Sequence, residues 1–551
     1  MSRRKPELTE LDVQEWVEIL ERSKTGPLSD EDRAIGHAIG ESFLWVLGEL
    51  EKKNASLKRL RQAFSVNTKQ TEKTSEVLKG ADDAGPSSSD AGEKGEKDGK
   101  KPKKKPRGHG RNGTDAYKGA KKIGVPHESL RHKDPCPACE DGTLYRQKPL
   151  RLIRLRGQAP ISAMLLEKER LRCGLCGKVF TAKTPAEFGK KKYDETSASM
   201  IALLKYGSGL PFNRLQGLEG NLGIPLPAST QWGVVVDLAE GAVFAHEELI
   251  RTAAQGSVFH HDDTPMKVLA LLGENQRMEQ TGSKERTGMF TTGVVSLWEG
   301  HRIALFFTGR QHAGENLKDV LKKRAMELGA PIQMCDGSSR NESEAITTFL
   351  ANCLAHGRRR FVEVTNSFPG ECRYVLRALG QIYMHDAVTR EQEMSPEERL
   401  HFHQAHSAEV MADLKRWMGD QLAQKKVEPN SSLGGAFSYM LKRWEKLTLF
   451  LRKAGAPLDN NICEQALKKA ILHRKNSLFY KTLNGARVGD MLMSLIYTAE
   501  LEGVSPFDYL TELQKHTEEL RRDPRRWMPW NYRETLDALD KANYGQRPDP
   551  L

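Results

Sequence analysis

Two pairs of cysteines and a handful of carboxylates are the residues in this 551-residue chain best suited to chemistry. The cysteine pairs are CPAC, with Cys136 and Cys139, and CGLC, with Cys173 and Cys176. A CxxC lets two thiolates reach one ion, and two such knuckles complete a tetrahedral four-thiolate zinc site. The 33 residues between the knuckles exceed the roughly 15–20 of the common pattern and leave room for a small sheet. No thioredoxin-like βαβ pattern surrounds either pair, so structural zinc is favoured over redox chemistry. Four thiolates close the coordination shell, which excludes a catalytic role for that zinc.

The carboxylates stand where strands and a helix begin or end. VFHHDDTPMKVL places Asp262 and Asp263 in or at the end of a strand, and PIQMCDGSS places Asp336 at the end of another. Charged residues are disfavoured inside strands, and strand C-termini of open α/β sheets are where sites form. LDNNICEQALKKAILHRKN places Glu464 at the head of an apolar-periodic helix. Two Asp and one Glu suit Mg²⁺ or Mn²⁺, hard cations that take oxygen ligands, and such ions support in-line phosphoryl displacement. Bland readings stand beside this one. Asp336 fits a turn, and Asn461 lies three residues before Glu464, the capping-box spacing. Whether Asp262 or Asp263 is the ligand stays open.

The elements that must position these groups follow from composition and periodicity. Lys plus Arg is 85 against 73 acidic residues, a formal charge of +12, which points to a polyanion such as nucleic acid. No run of 18 apolar residues suggests a membrane span. The charged MSRRKPELTE start does not suggest secretion, and the cysteine usage fits a reducing cytoplasm. Residues 1–79 read as a helical, coiled-coil region, with Phe43, Val46, Leu50, Leu57 and Leu60 in 3-4 spacing. Residues 80–113 read as a disordered basic linker, and 114–190 as a zinc-ribbon-like module built on the four cysteines. Residues 191–255 read as helix, turn and helix, a possible DNA-binding region whose second helix Ser229 or Thr230 would cap. Residues 256–390 begin with strands and continue as helix, strand and, over 341–390, helix. Residues 391–457 read as a helical insertion, 458–505 as the second part of the core with Glu464, and 506–551 as a C-terminal tail. The fold class is therefore multidomain, with a mixed α/β sheet flanked by helices.

Several of these stretches together resemble the insertion-sequence-66 family of bacterial DDE transposases. HHDDTP resembles the family's His-Ala-Asp-Glu-Thr-Pro, QMCDG its second Asp-Gly, and CLAHGRRRF its Cys-x-x-His-x-Arg-Arg-x-Phe element. DNNICEQALKKAILHRKNSLF resembles its Asp-Asn-Asn…Glu-Arg…Arg-Lys-Asn segment, and MPWNY its C-terminal Leu-Pro-Trp-Asn. The order is consistent over most of the chain. Two departures are SSRNES, where a tyrosine-containing stretch is usual, and Gln465, where Arg follows the catalytic Glu.

The resemblance implies an RNase H-like catalytic core in which Asp262, Asp336 and Glu464 bind Mg²⁺ or Mn²⁺ and are catalytic. It implies cleavage at mobile-element ends and transfer of the 3′-OH into target DNA. The 127 residues between Asp336 and Glu464 then include the helical insertion. Arg358, Arg359, Arg360, Lys468, Arg474 and Lys475 become candidates for phosphate contacts. Expected partners are the terminal repeats, target DNA, at least one further protomer and small element-encoded proteins. The expected location is the bacterial cytoplasm, at the nucleoid. Alternatives are an inactive transposase-derived DNA-binding protein and a metal-dependent nuclease without strand transfer.

Overall fold

The computed structural model describes residues 191–281, 286–338, 340–341 and 347–544, with short earlier stretches at 21–22, 29–30, 129–134, 144–145, 159–172, 179–185 and 189. The chain divides into two units, 1–80 and 81–551, and every element named here belongs to the second. The expected coiled coil, the basic linker and all four CxxC cysteines lie outside the described residues.

The first elements are a two-stranded antiparallel ribbon, β1 (Arg170–Arg172) and β2 (Val179–Thr181). Three helices follow: α1 (Glu195–Ala202), continued by a wide turn at Leu203–Gly207, α2 (Phe212–Asn221) and α3 (Ala228–Ala253). Helix α3 begins after Pro227 with no side-chain cap, so Ser229 and Thr230 lie inside its first turn and do not cap it. Its Val235, Leu238, Ala242, Ala245 and Leu249 are buried in the main core, the i, i+3, i+4, i+7 stripe of a helix that packs on a sheet.

That sheet starts with β3 (Val258–Pro265) and, after α4 (Leu269–Thr281), continues with β4 (Phe290–Trp298) and β5 (His301–Gly309). The β4–β5 hairpin turns on Glu299 and Gly300, both at positive φ, as a two-residue turn matched to strand twist requires. Helix α5 (Ala313–Leu321) leads to β6 (Ile332–Cys335), and β7 (Phe349–Asn352) follows. The spatial order is β5-β4-β3-β6-β7. β3, β4 and β5 are antiparallel neighbours, whereas β6 runs parallel to β3 and β7 parallel to β6. β7 falls within 341–390, which reads as helix in the sequence. Four residues paired in parallel along β6 are too few to print a strand period.

Beyond β7 come α6 (Leu354–Val364), α7 (Pro369–Glu391), α8 (Pro396–His406), α9 (Ala408–Ala423), α10 (Ser432–Lys442) and α11 (Trp444–Leu447). They enclose their own apolar interior, including Leu376, Leu379, Met411, Leu414, Met418 and Phe437. Helix α12 (Asn461–Ser477) then returns to the sheet, and α13 (Leu483–Leu501) covers its β5 edge. Asp490, Ser494 and Thr498, at i, i+4 and i+8 on one face of α13, accept the backbone N–H groups of Thr308, Phe306 and Ala304. An edge strand's open N–H row is thereby capped by side chains.

Residues 506–551, read as a tail, contain α14 (Pro506–Lys515), α15 (Thr517–Arg522) and α16 (Tyr532–Tyr544). Tyr509, Leu510, Leu513, Trp527 and Tyr532 from this stretch are buried in the main core. Trp530 stacks on His301 at 4.6 Å, so the MPWN motif ties the C-terminal segment to the β4–β5 hairpin. Among the described residues no helix is long and apolar enough to cross a membrane.

Candidate active site

Parallel pairing brings two aspartates from distant sequence to one level. His260 of β3 pairs with Met334 of β6. Two residues further on stand Asp262, within β3, and Asp336, just past the end of β6. The Nδ2 of Asn341 donates to Oδ1 of both, at 3.2 Å to Asp262 and 2.6 Å to Asp336. Backbone amides hold the same oxygens: Asp263 N donates to Asp262 at 2.8 Å, and Ser338 N to Asp336 at 3.1 Å.

Strand alternation sends Asp263 elsewhere, because adjacent side chains point to opposite faces. Its Oδ2 meets Nδ1 of His312, just before α5, at 2.8 Å. On β4, Gly293 is the register partner of Asp262. A Cβ there would lie 3.1 Å from Leu467 and 3.6 Å from Cys463 of α12. Position 293 thus admits α12 close to the sheet, and α12 covers the Asp262 face. Cys463, Leu467 and Ala470 form its buried stripe.

The start of α12 is clamped. Asn460 donates from Nδ2 to the carbonyl of His261 at 3.0 Å and accepts from His260 Nδ1 at 3.2 Å. Its backbone N–H meets Cys353 Sγ at 3.3 Å. Burial holds His260 near 4 and His261 near 3, so both imidazoles are neutral at physiological pH. Asp459, raised by burial, accepts the N–H of Asn461 at 3.1 Å.

Glu464 is not a cap. The helix begins at Asn461 with Asn460 as its N-cap and no side-chain capping bond. The Glu464 Oε1 is buried with no hydrogen-bond partner among the described residues, and lies 3.7 Å from Nε2 of His356. Burial, with the negative charges of Asp262 and Glu464, pushes the Cys463 thiol well up, and its Sγ donates to the Gly293 carbonyl at 3.3 Å. Among the described residues no three Asp, Glu, His or Cys side chains already converge closely enough to hold a metal ion. Two aspartates meet at Asn341, and the third carboxylate lies beside His356.

Basic groups complete the site differently from the sequence expectation. Successive residues on a helix rotate by about 100°, so Arg358, Arg359 and Arg360 cannot share a face. Arg358 is buried, turned inward rather than to a phosphate-contacting surface. Arg359 is half-buried, and Arg360, exposed, stacks on Tyr439 at 4.0 Å. Arg443 lies over the same ring at 4.4 Å and donates from Nε and Nη2 to the carbonyl of Gly337 at 3.1 and 2.9 Å. Lys468 and Lys475 are exposed. Arg474 is a brace, with Nη1 donating to Thr264 Oγ1 at 2.9 Å and to the Pro265 carbonyl.

A family profile described as "Transposase IS66 family" matches residues 190–488, just over half of the chain. The chain belongs to that family. Its match spans the sheet, the insertion helices and α12, so every group of the carboxylate site is a position within the IS66 transposase domain. Three curated relatives from Sinorhizobium fredii are similar. The uncharacterized protein y4jD is 34% identical over 175 residues, 32% of this chain and 34% of that protein. The uncharacterized proteins y4hP and y4qI are each 26% identical, covering 63% and 62% of both chains respectively. The similarity thus spans a third of the first relative's length and under two thirds of the other two.

Asn341, His356, Tyr439, Arg443 and Asn460 are site residues that sequence reasoning did not single out. His356 and Asn460 lie inside the quoted CLAHGRRRF and DNNICEQ stretches, so motif membership was the available signal. For Asn341, Tyr439 and Arg443 no local pattern marks the position.

Proposed function

We propose that this chain is a DDE transposase with an RNase H-like core, which hydrolyses a phosphodiester at each element end and transfers the freed 3′-OH into target DNA. The carrying observation is the meeting on one Asn341 nitrogen of Asp262, within β3, and Asp336, just past the parallel strand β6. The order and direction of the five strands support the RNase H-like reading. The all-oxygen donor set suits a hard divalent cation, and Glu464 Oε1, buried without a hydrogen bond, is a polar atom that such a ligand would satisfy. Asp262, Asp336 and Glu464 would hold it. When bound, the cation supplies Lewis-acid polarisation of the phosphate and activation of water.

The chain's own groups do the rest. Asn341 orients the two aspartates. His356 sets the Glu464 carboxylate. Arg360, stacked on Tyr439, offers a guanidinium fork to a phosphate, and Arg443, held on the Gly337 carbonyl, adds positive charge beside it. In the first step water attacks phosphorus, and the P–O bond to the 3′ oxygen breaks. In the second step that 3′-OH attacks a target phosphate and a target 3′-OH leaves. No nucleotide hydrolysis is required. We also propose structural zinc at Cys136, Cys139, Cys173 and Cys176, on the spacing of the two knuckles. Assembly on DNA as a dimer or larger belongs to the same reading.

The test uses the purified chain, Mg²⁺ or Mn²⁺, and a labelled duplex carrying an element end. Asp262→Asn, Asp336→Asn and Glu464→Gln should each lower cleavage on the order of a hundredfold or more with duplex binding retained. Asp263→Asn should lower it far less. Cleavage that survives Asp262→Asn but not Asp263→Asn would overturn the ligand assignment. Wild-type binding without cleavage would make the chain a DNA-binding protein only.

A further inference from the structure

At the far end of α12, away from Glu464, a cavity of about 730 Å³ opens between the Leu203–Gly207 turn, α2 and the start of α13. Three rings form one wall. His473 lies between Tyr206, with centroids 6.2 Å apart and planes 12° from parallel, and Tyr480, at 4.4 Å and 17°. Phe212 and Trp232 face the same space. The stack is buried, yet both ring nitrogens of His473 lack a hydrogen-bond partner among the described residues. Buried polar atoms of a native protein are ordinarily paired, so two orphans on one ring in a cavity wall point to a missing ligand.

A buried cation reaches in. Lys205 is buried, donates to Ser477 Oγ at 2.7 Å and sits 5.1 Å from the Phe212 ring. Burial lowers it to about 8, which leaves it mainly charged at neutral pH. At the mouth, Leu478 and Phe479 are 63% and 41% exposed, and Leu478 is held at φ 68°. Exposed apolar side chains at a strained turn match the wedges that proteins insert between base steps. Flat aromatic walls with an unpaired polar edge and a cation match the way single unstacked bases are held.

We propose that this cavity takes one nucleobase extruded from the DNA duplex, with Leu478 and Phe479 occupying the gap it leaves. The inference rests on the DNA reading of the carboxylate site and adds a second contact to it. Nine residues of helix separate Glu464 from His473, about 13 Å at 1.5 Å per residue. One strand rises about 3.4 Å per nucleotide, so the extruded base lies about four steps from the phosphate at Glu464.

The test measures affinity of the full chain for two duplexes at one fixed salt concentration, because phosphate contacts make affinity steeply salt-dependent. One duplex is fully paired, and the other carries a single unpaired adenine. Wild type should bind the second about tenfold more tightly, the order expected when a base gains an aromatic platform. Phe479→Ala removes part of the wedge, and Asn213→Trp, at an exposed residue on the rim, fills the mouth without disturbing the core. Asn213→Trp should lose most of the preference while binding the paired duplex within about twofold of wild type, and Phe479→Ala should lose most of the preference and also weaken binding to both duplexes. Equal wild-type affinity for the two duplexes, or a preference untouched by both substitutions, would overturn the inference alone. Failure to bind either duplex would overturn the DNA reading with it.

Discussion

The two ends of α12 are built on opposite plans. At the N-terminal end every contact fixes position. Asn460 is bonded to β3 twice and to Cys353 once, and Gly293 lets the helix lie against β4. The result is a helix start, carrying Glu464 in its first turn, held to a defined place on the sheet. At the C-terminal end the contacts are rings stacked on rings, and the chain leaves the helix through an exposed leucine at positive φ. Stacked apolar surfaces resist sliding less than directional hydrogen bonds do, so this end can admit a flat ligand. Chemistry on phosphate demands atoms held in place, whereas gripping a base demands a slot that accommodates.

The largest way to break that contrast is Asn460→Ala. It leaves the His261 carbonyl and His260 Nδ1 buried without partners, at about 1–3 kcal/mol for each. A melting curve should show the loss. Cleavage should fall further than the residual folded fraction explains, because Glu464 loses its anchor. Binding to the unpaired-adenine duplex should survive in the folded protein. Equal damage to both functions would show that the helix transmits rather than separates the two ends.

Acid tests both ends at once. Burial holds His473 near 3 and His260 near 4, against 6.5 for the free side chain. Between those values the unfolded chain binds the proton and the folded chain does not. Stability is therefore fully present above 6.5 and falls as pH drops toward 3 or 4. At pH 5 each buried imidazole should cost about 2 kcal/mol. His473→Phe preserves the ring stack and removes one titrating group. Its unfolding free energy, measured by denaturant titration between pH 7 and 5, should fall less steeply than that of wild type. An identical slope would mean that His473 is already protonated in the folded chain.

The sheet was more legible than the site. β3, β4, β5 and β6 are apolar and β-branched runs bounded by turn residues, and such runs announce themselves locally. The candidate carboxylates drew notice through their local setting, two acidic residues within an apolar strand, one just past another and one in the first turn of a helix. The strand pairing adds what the sequence lacks: Asp262 shares the face of Gly293, and Asp263 turns to His312. Arg358 illustrates the reverse. Three consecutive arginines look like one basic patch, but a helix scatters them around its axis. Asn341, Tyr439 and the wall of Tyr206, His473 and Tyr480 come together only through long-range contacts, for which a one-dimensional pattern holds no trace.

The smallest effect concerns Leu478 itself. The residue that ends α12 has φ 68° and ψ −41°, a region where glycine is at home and a Cβ costs roughly 1–2 kcal/mol. With 63% of its surface exposed, little burial offsets that strain. Leu478→Gly relieves it but gives the unfolded chain more freedom to lose, so the net gain should be about 0.5–1 kcal/mol, read as a melting point raised by a few degrees or less. A stabilising substitution that costs function marks strain retained for use. The same protein should therefore lose part of its preference for the unpaired adenine. A Leu478→Gly chain that is less stable, with its preference intact, would reduce the C-terminal end of α12 to an ordinary helix stop and remove the contrast with the Glu464 end.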